Sequence, residues 1–114
     1  MNTNPTPTTT SKQRIFIDRF VVPGKSSAEF FERMNINRQM LKGFPGFVED
    51  QAYIRHDDQG NLVCMTVAVW ETDEAIANAR EKVQEEYKKE GFNLVAMLDR
   101  LGITMSERGI YVRQ

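Results

Sequence analysis

Few side chains in this sequence could do chemistry, and their numbers exclude most of the familiar sets. His56 is the only histidine and Cys64 the only cysteine. No Ser/His/Asp or Cys/His arrangement can be assembled convincingly, and no disulfide can form within the chain. A zinc site would need carboxylates, and no metal-ligand spacing occurs, so no metal is expected. His56 lies beside a turn and is expected at an exposed strand end. Gly43, Gly46, Gly60 and Gly91 punctuate elements, and none makes a phosphate loop after a strand. Two residues stand out instead. Asp18 interrupts the apolar run RIFIDRFVVPGK (14–25), and Trp70 ends the run LVCMTVAVW (62–70). A carboxylate inside a strand buried on both faces costs several kcal/mol unless it is paired or protonated. Asp18 therefore either pairs with an arginine from a helix or neighbouring strand, or lines a polar spot in an internal pocket. Trp70 is either a core aromatic or a pocket wall with its indole N–H free for a ligand.

The elements that would position these residues can be read in order. Residues 14–22 form the first strand, ended by Pro23 to Lys25. Ser26 and Glu29 have capping-box spacing, so a helix is expected from there. Phe30, Phe31, Met34 and Leu41 give it an apolar stripe with gaps at Asn37 and Arg38, and Gly43 and Pro45 stop it. A second strand, 46–56, turns through HDDQGN (56–61), with Gly60 at the permissive position, into the third strand, 62–70. Thr72 can cap a second helix with inward positions Ile76, Ala79, Arg80, Val83 and Tyr87, broken at Gly91. Its acid-rich face reads as solvated, with Glu85 and Lys89 at ion-pair spacing. Asn93 can cap a short third helix carrying Leu94, Met97, Leu98 and Leu101. A last strand, 103–113, is interrupted near Glu107.

This β-α-β-β-α-(α)-β order is that of an α+β, ferredoxin-like βαββαβ domain: an antiparallel sheet in the order 4-1-3-2 with helices on one face. Charge placement agrees, because the third strand has none, whereas the second carries Glu49, Asp50 and Arg55 and the fourth Glu107, Arg108 and Arg113. The third strand is apolar on both faces, with Leu62, Cys64, Thr66, Ala68 and Trp70 on one and Val63, Met65, Val67 and Val69 on the other. One helical layer covers only one of them. The open face is therefore expected to bury against a second copy, giving a homodimer.

With 114 residues, 40% hydrophobic and 27% charged, the chain suits one domain, 14–114, after a disordered Thr/Asn/Pro tail, 1–13. A net charge of −1 leaves no basic field for nucleic acid. The N-terminus has no apolar signal core and no run could span a bilayer, so no membrane partner is expected and the cytoplasm is the default location.

Three stretches in this order resemble the antibiotic biosynthesis monooxygenase domain family of small dimeric α/β-barrel proteins. DRFVVPGK (18–25) is similar to that family's opening strand and Gly turn. GFPGFVED (43–50) resembles its Pro-Gly-Phe entry to the second strand. VAVWETDEAI (67–76) resembles its strand-end Trp followed by an acidic helix start, and the next helix is in place. The likeness spans residues 14–89. It implies a homodimeric ferredoxin-like fold with a pocket between sheet and helices. Some members are cofactor-independent oxygenases of polycyclic phenols and quinols, in which a phenolic proton is removed and the anion reacts with dioxygen. The resemblance thus implies a monooxygenase of small aromatic phenols or quinols with no cofactor. Asp18 and Trp70 would be the catalytic candidates. Thr66 would also point into the pocket, with Phe16, Phe20, Phe30, Met34 and Tyr87 as walls and Arg80 stabilising an anion. A non-catalytic small-molecule-binding dimer is the alternative. The heme-degrading branch does not fit: its strand Asn, helical Trp and His fall here at Asp18, near Ala79, and near Lys88 or Lys89.

Overall fold

The computed structural model describes residues 12–114, so most of the expected tail lies outside the described residues. Four strands and three α-helices follow in the order β1 (Arg14–Pro23), α1 (Ser27–Leu41), β2 (Phe47–His56), β3 (Asn61–Trp70), α2 (Asp73–Glu90), α3 (Leu94–Leu101) and β4 (Thr104–Tyr111). The strands form one antiparallel sheet ordered β2-β3-β1-β4, the expected ferredoxin-like arrangement. The uncharged run and the run that carries Asp18 and Arg19 became the central pair. They match along their whole length, from Arg14 opposite Trp70 to Pro23 opposite Asn61.

Local chemistry sets most boundaries. The Thr72 hydroxyl accepts from the Ala75 N–H at 3.0 Å and starts α2, and Gly91 at φ 70° ends it. Asn93 does the same for α3 through the Ala96 N–H at 2.9 Å. At the β2–β3 hairpin the Asp57 carboxylate accepts from the Gln59 and Asn61 N–H groups, and Gly60 supplies φ 80°.

The capping box expected at Ser26 does not form. Gly24–Ser26 is a 3₁₀ turn, and Ser26 has φ −100°, ψ −1° rather than the extended backbone an N-cap needs. Its buried hydroxyl instead donates to the Leu101 carbonyl at 2.8 Å, satisfying the C-terminus of α3. A tertiary contact replaces the local one. Glu29, the other half of the expected box, pairs with Arg100. On α2 the ion pair joins Glu86 and Lys89, one residue off the expected Glu85–Lys89 spacing.

All three helices lie on one face of the sheet. Phe30 of α1 and Met97 and Leu98 of α3 pack on Phe20, Val22, Leu62 and Cys64. Ile76 and Ala79 of α2 pack on Ala68 and Trp70. The other face carries Ile15, Ile17 and Val21 of β1, Val63, Met65, Val67 and Val69 of β3, and Tyr53 and Tyr111 from the edges. Within this chain Tyr53, Tyr111 and Met65 on that face are exposed.

Candidate active site

A half-enclosed cavity of about 180 Å³ opens between the sheet and helices α1 and α2. Its floor is the helix-facing side of β1 and β3, where Phe16, Asp18, Thr66, Ala68 and Trp70 alternate toward the helices. Trp70 is buried and packs edge-on against Phe47 with centroids 5.4 Å apart. Its surroundings make it both a core aromatic and a cavity wall. Cys64, on the same side of β3, is buried in the core away from the cavity lining. Burial raises its thiol pKa, which keeps it protonated and inert.

Asp18 is 8% exposed and meets Arg108 directly across β4. The guanidinium grips it from two nitrogens, Nε to Oδ1 at 2.7 Å and Nη2 to Oδ2 at 2.9 Å. The carboxylate raises the pKa of Arg108, which keeps the guanidinium charged. The two readings of Asp18 turn out to be compatible: it is paired, and the pair lines the cavity.

That pairing depends on an irregularity in β4. The β1–β4 register shifts between Arg19 and Phe20, which face Glu107 and Met105, leaving Ser106 as an extra residue. With a regular strand running on from Met105, Glu107 would stand opposite Asp18. The bulge substitutes Arg108, and Ser106 instead accepts a hydrogen bond from the Arg19 guanidinium at 2.8 Å on the other side of the sheet. It also accounts for the interruption expected near Glu107, although β4 ends at Tyr111, short of residue 113. A second bulge at Val48, where the register jumps from Phe47–Trp70 to Glu49–Val69, turns Asp50 toward the helices. There it accepts from the Arg38 Nε of α1 at 2.5 Å. Each edge strand thus delivers one charged residue to the cavity through a bulge.

The α1–α2 side adds Asn37 and Tyr87. Asn37 Nδ2 donates to the Tyr87 hydroxyl at 2.9 Å. Burial raises the phenol pKa, opposed by the nearby Arg33 and by the Asn37 hydrogen bond. Arg33 is buried, grips Glu90 through both terminal nitrogens, and stacks 3.7 Å over the Phe92 ring. Arg80 reaches the cavity mouth from α2 and makes no ion pair among the described residues.

The structure therefore brings Phe16, Asp18, Phe20, Met34, Thr66, Trp70, Arg80 and Tyr87 to one cavity. It removes Phe30 from that group. Phe30 is fully buried, stacked edge-on with Phe20 and Phe31 at 5.3 and 5.6 Å, in the cluster beside α3. The helix turns its ring away from the opening, which Met34, Asn37, Arg38 and Leu41 line instead. His56 is exposed at the end of β2, away from the cavity lining. Asn37, Arg38, Asp50 and Arg108 were not among the sequence candidates. The signal for the first two was present as polar gaps in the α1 apolar stripe. Among the described residues no cluster of three or more His, Cys, Asp or Glu could hold a metal, and no helix is long and apolar enough to cross a membrane.

No family model and no curated protein matches the chain. Solved structures do. SnoaB from Streptomyces nogalater, a cofactor-independent oxygenase, is 25% identical, with 90% of this chain and 94% of that one covered and a TM-score of 0.67. The chain has the fold of an antibiotic biosynthesis monooxygenase domain. A protein of Shewanella loihica PV-4 classed provisionally as a monooxygenase shares this domain fold at 18% identity and TM-score 0.68, covering 91% and 98% of the two chains. A Nitrosomonas europaea protein classed provisionally as an antibiotic biosynthesis monooxygenase does so at 13% identity and TM-score 0.61, covering 90% and 89%. The last two likenesses concern the fold alone.

Proposed function

We propose that this domain is a cofactor-independent monooxygenase of small aromatic phenols or quinols. The observation that carries the reading is the apolar cavity floored by a charged Asp18–Arg108 pair and walled by Trp70, in a fold shared with a named cofactor-independent oxygenase. Such a reaction asks little of a protein beyond orientation and charge stabilisation. In this reading a planar ring lies against Phe16, Met34 and Trp70, which line the cavity. Deprotonation makes it an electron-rich anion that gives electrons to dioxygen. One oxygen atom becomes a new substrate carbonyl, and the other leaves as water with the phenolic hydrogen and the hydrogen lost from the oxidised carbon. Arg80, free of a carboxylate partner among the described residues, supplies positive charge for the anion at the cavity mouth. Asp18 and Arg108 set a fixed dipole on the floor. Oxygen uptake by the purified protein with anthrones or hydroquinones tests this. Uptake above background that falls in Asp18→Ala and Trp70→Phe is expected. Background uptake, unchanged by either substitution, would overturn it and leave a binding protein using the same cavity.

The working unit in this reading is a homodimer through the open sheet face. The row of Ile15, Ile17, Val67 and Val69, with Tyr53 and Tyr111 at its margins, is an apolar surface that a second copy would cover. Light scattering at micromolar concentration should give twice the 13.2 kDa chain mass. A monomer mass would refute the dimer without touching the cavity chemistry.

A further inference from the structure

Among the residues that line the cavity, one buried side-chain polar atom has no partner. Asn37 Oδ1 is shielded from solvent and has no hydrogen-bond partner among the described residues. The same amide is already committed on its other side, because Nδ2 donates to the Tyr87 hydroxyl at 2.9 Å. In that orientation of the amide the oxygen is the atom left over. The same bond occupies a lone pair of the Tyr87 oxygen, so the phenol proton points elsewhere. Both residues line the cavity, Asn37 from α1 and Tyr87 from α2. A buried acceptor without a donor is costly, about 1–3 kcal/mol, and such groups in folded proteins find a partner. Arg108 is spent on Asp18 and Arg38 on Asp50, and Arg80, the remaining arginine of the lining, makes no hydrogen bond to Asn37 Oδ1. Arg33 Nε, one turn earlier on α1, is likewise buried without a partner, so the two atoms do not satisfy each other, and a hydroxyl on a bound molecule can supply the donor.

From this unmatched acceptor we propose that Asn37 is the specificity-determining residue of the cavity, accepting a hydrogen bond from the neutral hydroxyl of a bound phenol through Oδ1. Tyr87 is its positioning residue and offers its own O–H to a second substrate oxygen. The inference rests on the reading of the cavity as a phenol site, and it adds the atom that recognises the phenol. A neutral amide acceptor selects the protonated phenol for binding, and the proton is then lost inside the site. Ethers and ketones of the same shape leave the acceptor unmatched and bind more weakly.

The chain has one tryptophan, and it lines the cavity, so its fluorescence reports occupancy. The test is quenching of Trp70 by 1-naphthol and by 1-methoxynaphthalene, which share the ring and differ by a methyl group in place of the hydroxyl proton. About tenfold tighter binding of 1-naphthol is expected, the worth of one hydrogen bond in a shielded site. Asn37→Leu should abolish that preference. Asn37→Asp, which keeps an acceptor, should retain it. Tyr87→Phe should weaken both ligands, with part of the preference remaining. Far-UV circular dichroism checks that each variant is folded, and Asn37→Asp keeps the test decisive if Asn37→Leu is not. Equal affinities in the unmodified protein, a preference for the ether, or no quenching by either ligand would overturn the proposal. The assay needs no turnover. A naphthol preference without oxygen uptake keeps this inference and removes the oxygenase reading; uptake without the preference does the reverse.

Discussion

Arg108→Met isolates what holds Asp18 in the sheet. Methionine keeps much of the aliphatic stem, which lies with its guanidinium 5.5 Å from the Phe16 ring, and deletes the charge. The carboxylate is 8% exposed and accepts from two guanidinium nitrogens at 2.7 and 2.9 Å. With charge centres about 4 Å apart and an effective dielectric near 20, the attraction is about 4 kcal/mol. The Arg108 side chain is 45% exposed, so solvent screens part of it and the expected loss is about 2–3 kcal/mol. Urea unfolding followed by Trp70 fluorescence at fixed protein concentration measures this. Asp18→Asn in the same background should recover at least about 1 kcal/mol, since it removes the stranded charge. A loss under about 0.5 kcal/mol would refute the reasoning. It would mean that the bulge at Ser106 does not matter to the carboxylate.

Other outcomes follow from the same geometry. Phe30→Ala should cost about 3–5 kcal/mol in urea unfolding, because the ring is fully buried, while leaving 1-naphthol affinity of the folded protein unchanged. Gly46→Ala should destabilise by about 2 kcal/mol or more: φ is 83° and a Cβ would sit 2.4 Å from that of Ala75. Adding Ala75→Gly should recover only the steric share. The Tyr87 pKa is raised by burial, so its contribution to stability is complete below the unfolded value of about 10 and is lost as the pH rises through the folded one. Alkaline unfolding should therefore be less steep in Tyr87→Phe, and the late tyrosinate absorbance step at 295 nm should shrink.

Element order and most boundaries were legible because each has a local cause. Alternating apolar runs, Thr72 and Asn93 at helix starts, and Gly60 and Gly91 at turns act within a few residues of themselves. The central place of β3 agreed with its lack of charge, and that of β1 followed from the ferredoxin-like element order. Ser26 shows where local reading stops. Its spacing to Glu29 signals a cap, yet both side chains are claimed by α3, through Leu101 and Arg100. Phe30 fails similarly: an inward helix position does not say whether inward means core or cavity.

Sequence alone determined that Asp18 sits on the helix side of a central strand and needs a partner, since strand alternation and the cost of a buried charge are properties of the chain itself. It could not determine the partner. Arg108 and Glu107 are neighbours, and which one faces Asp18 depends on a single extra residue at Ser106. The same holds for Asp50, turned inward by the bulge at Val48 to meet Arg38. A bulge is chosen by the packing of a whole edge strand against its neighbour, over contacts up to 90 residues apart in sequence. That is why the charges of this cavity were assigned only by the tertiary structure.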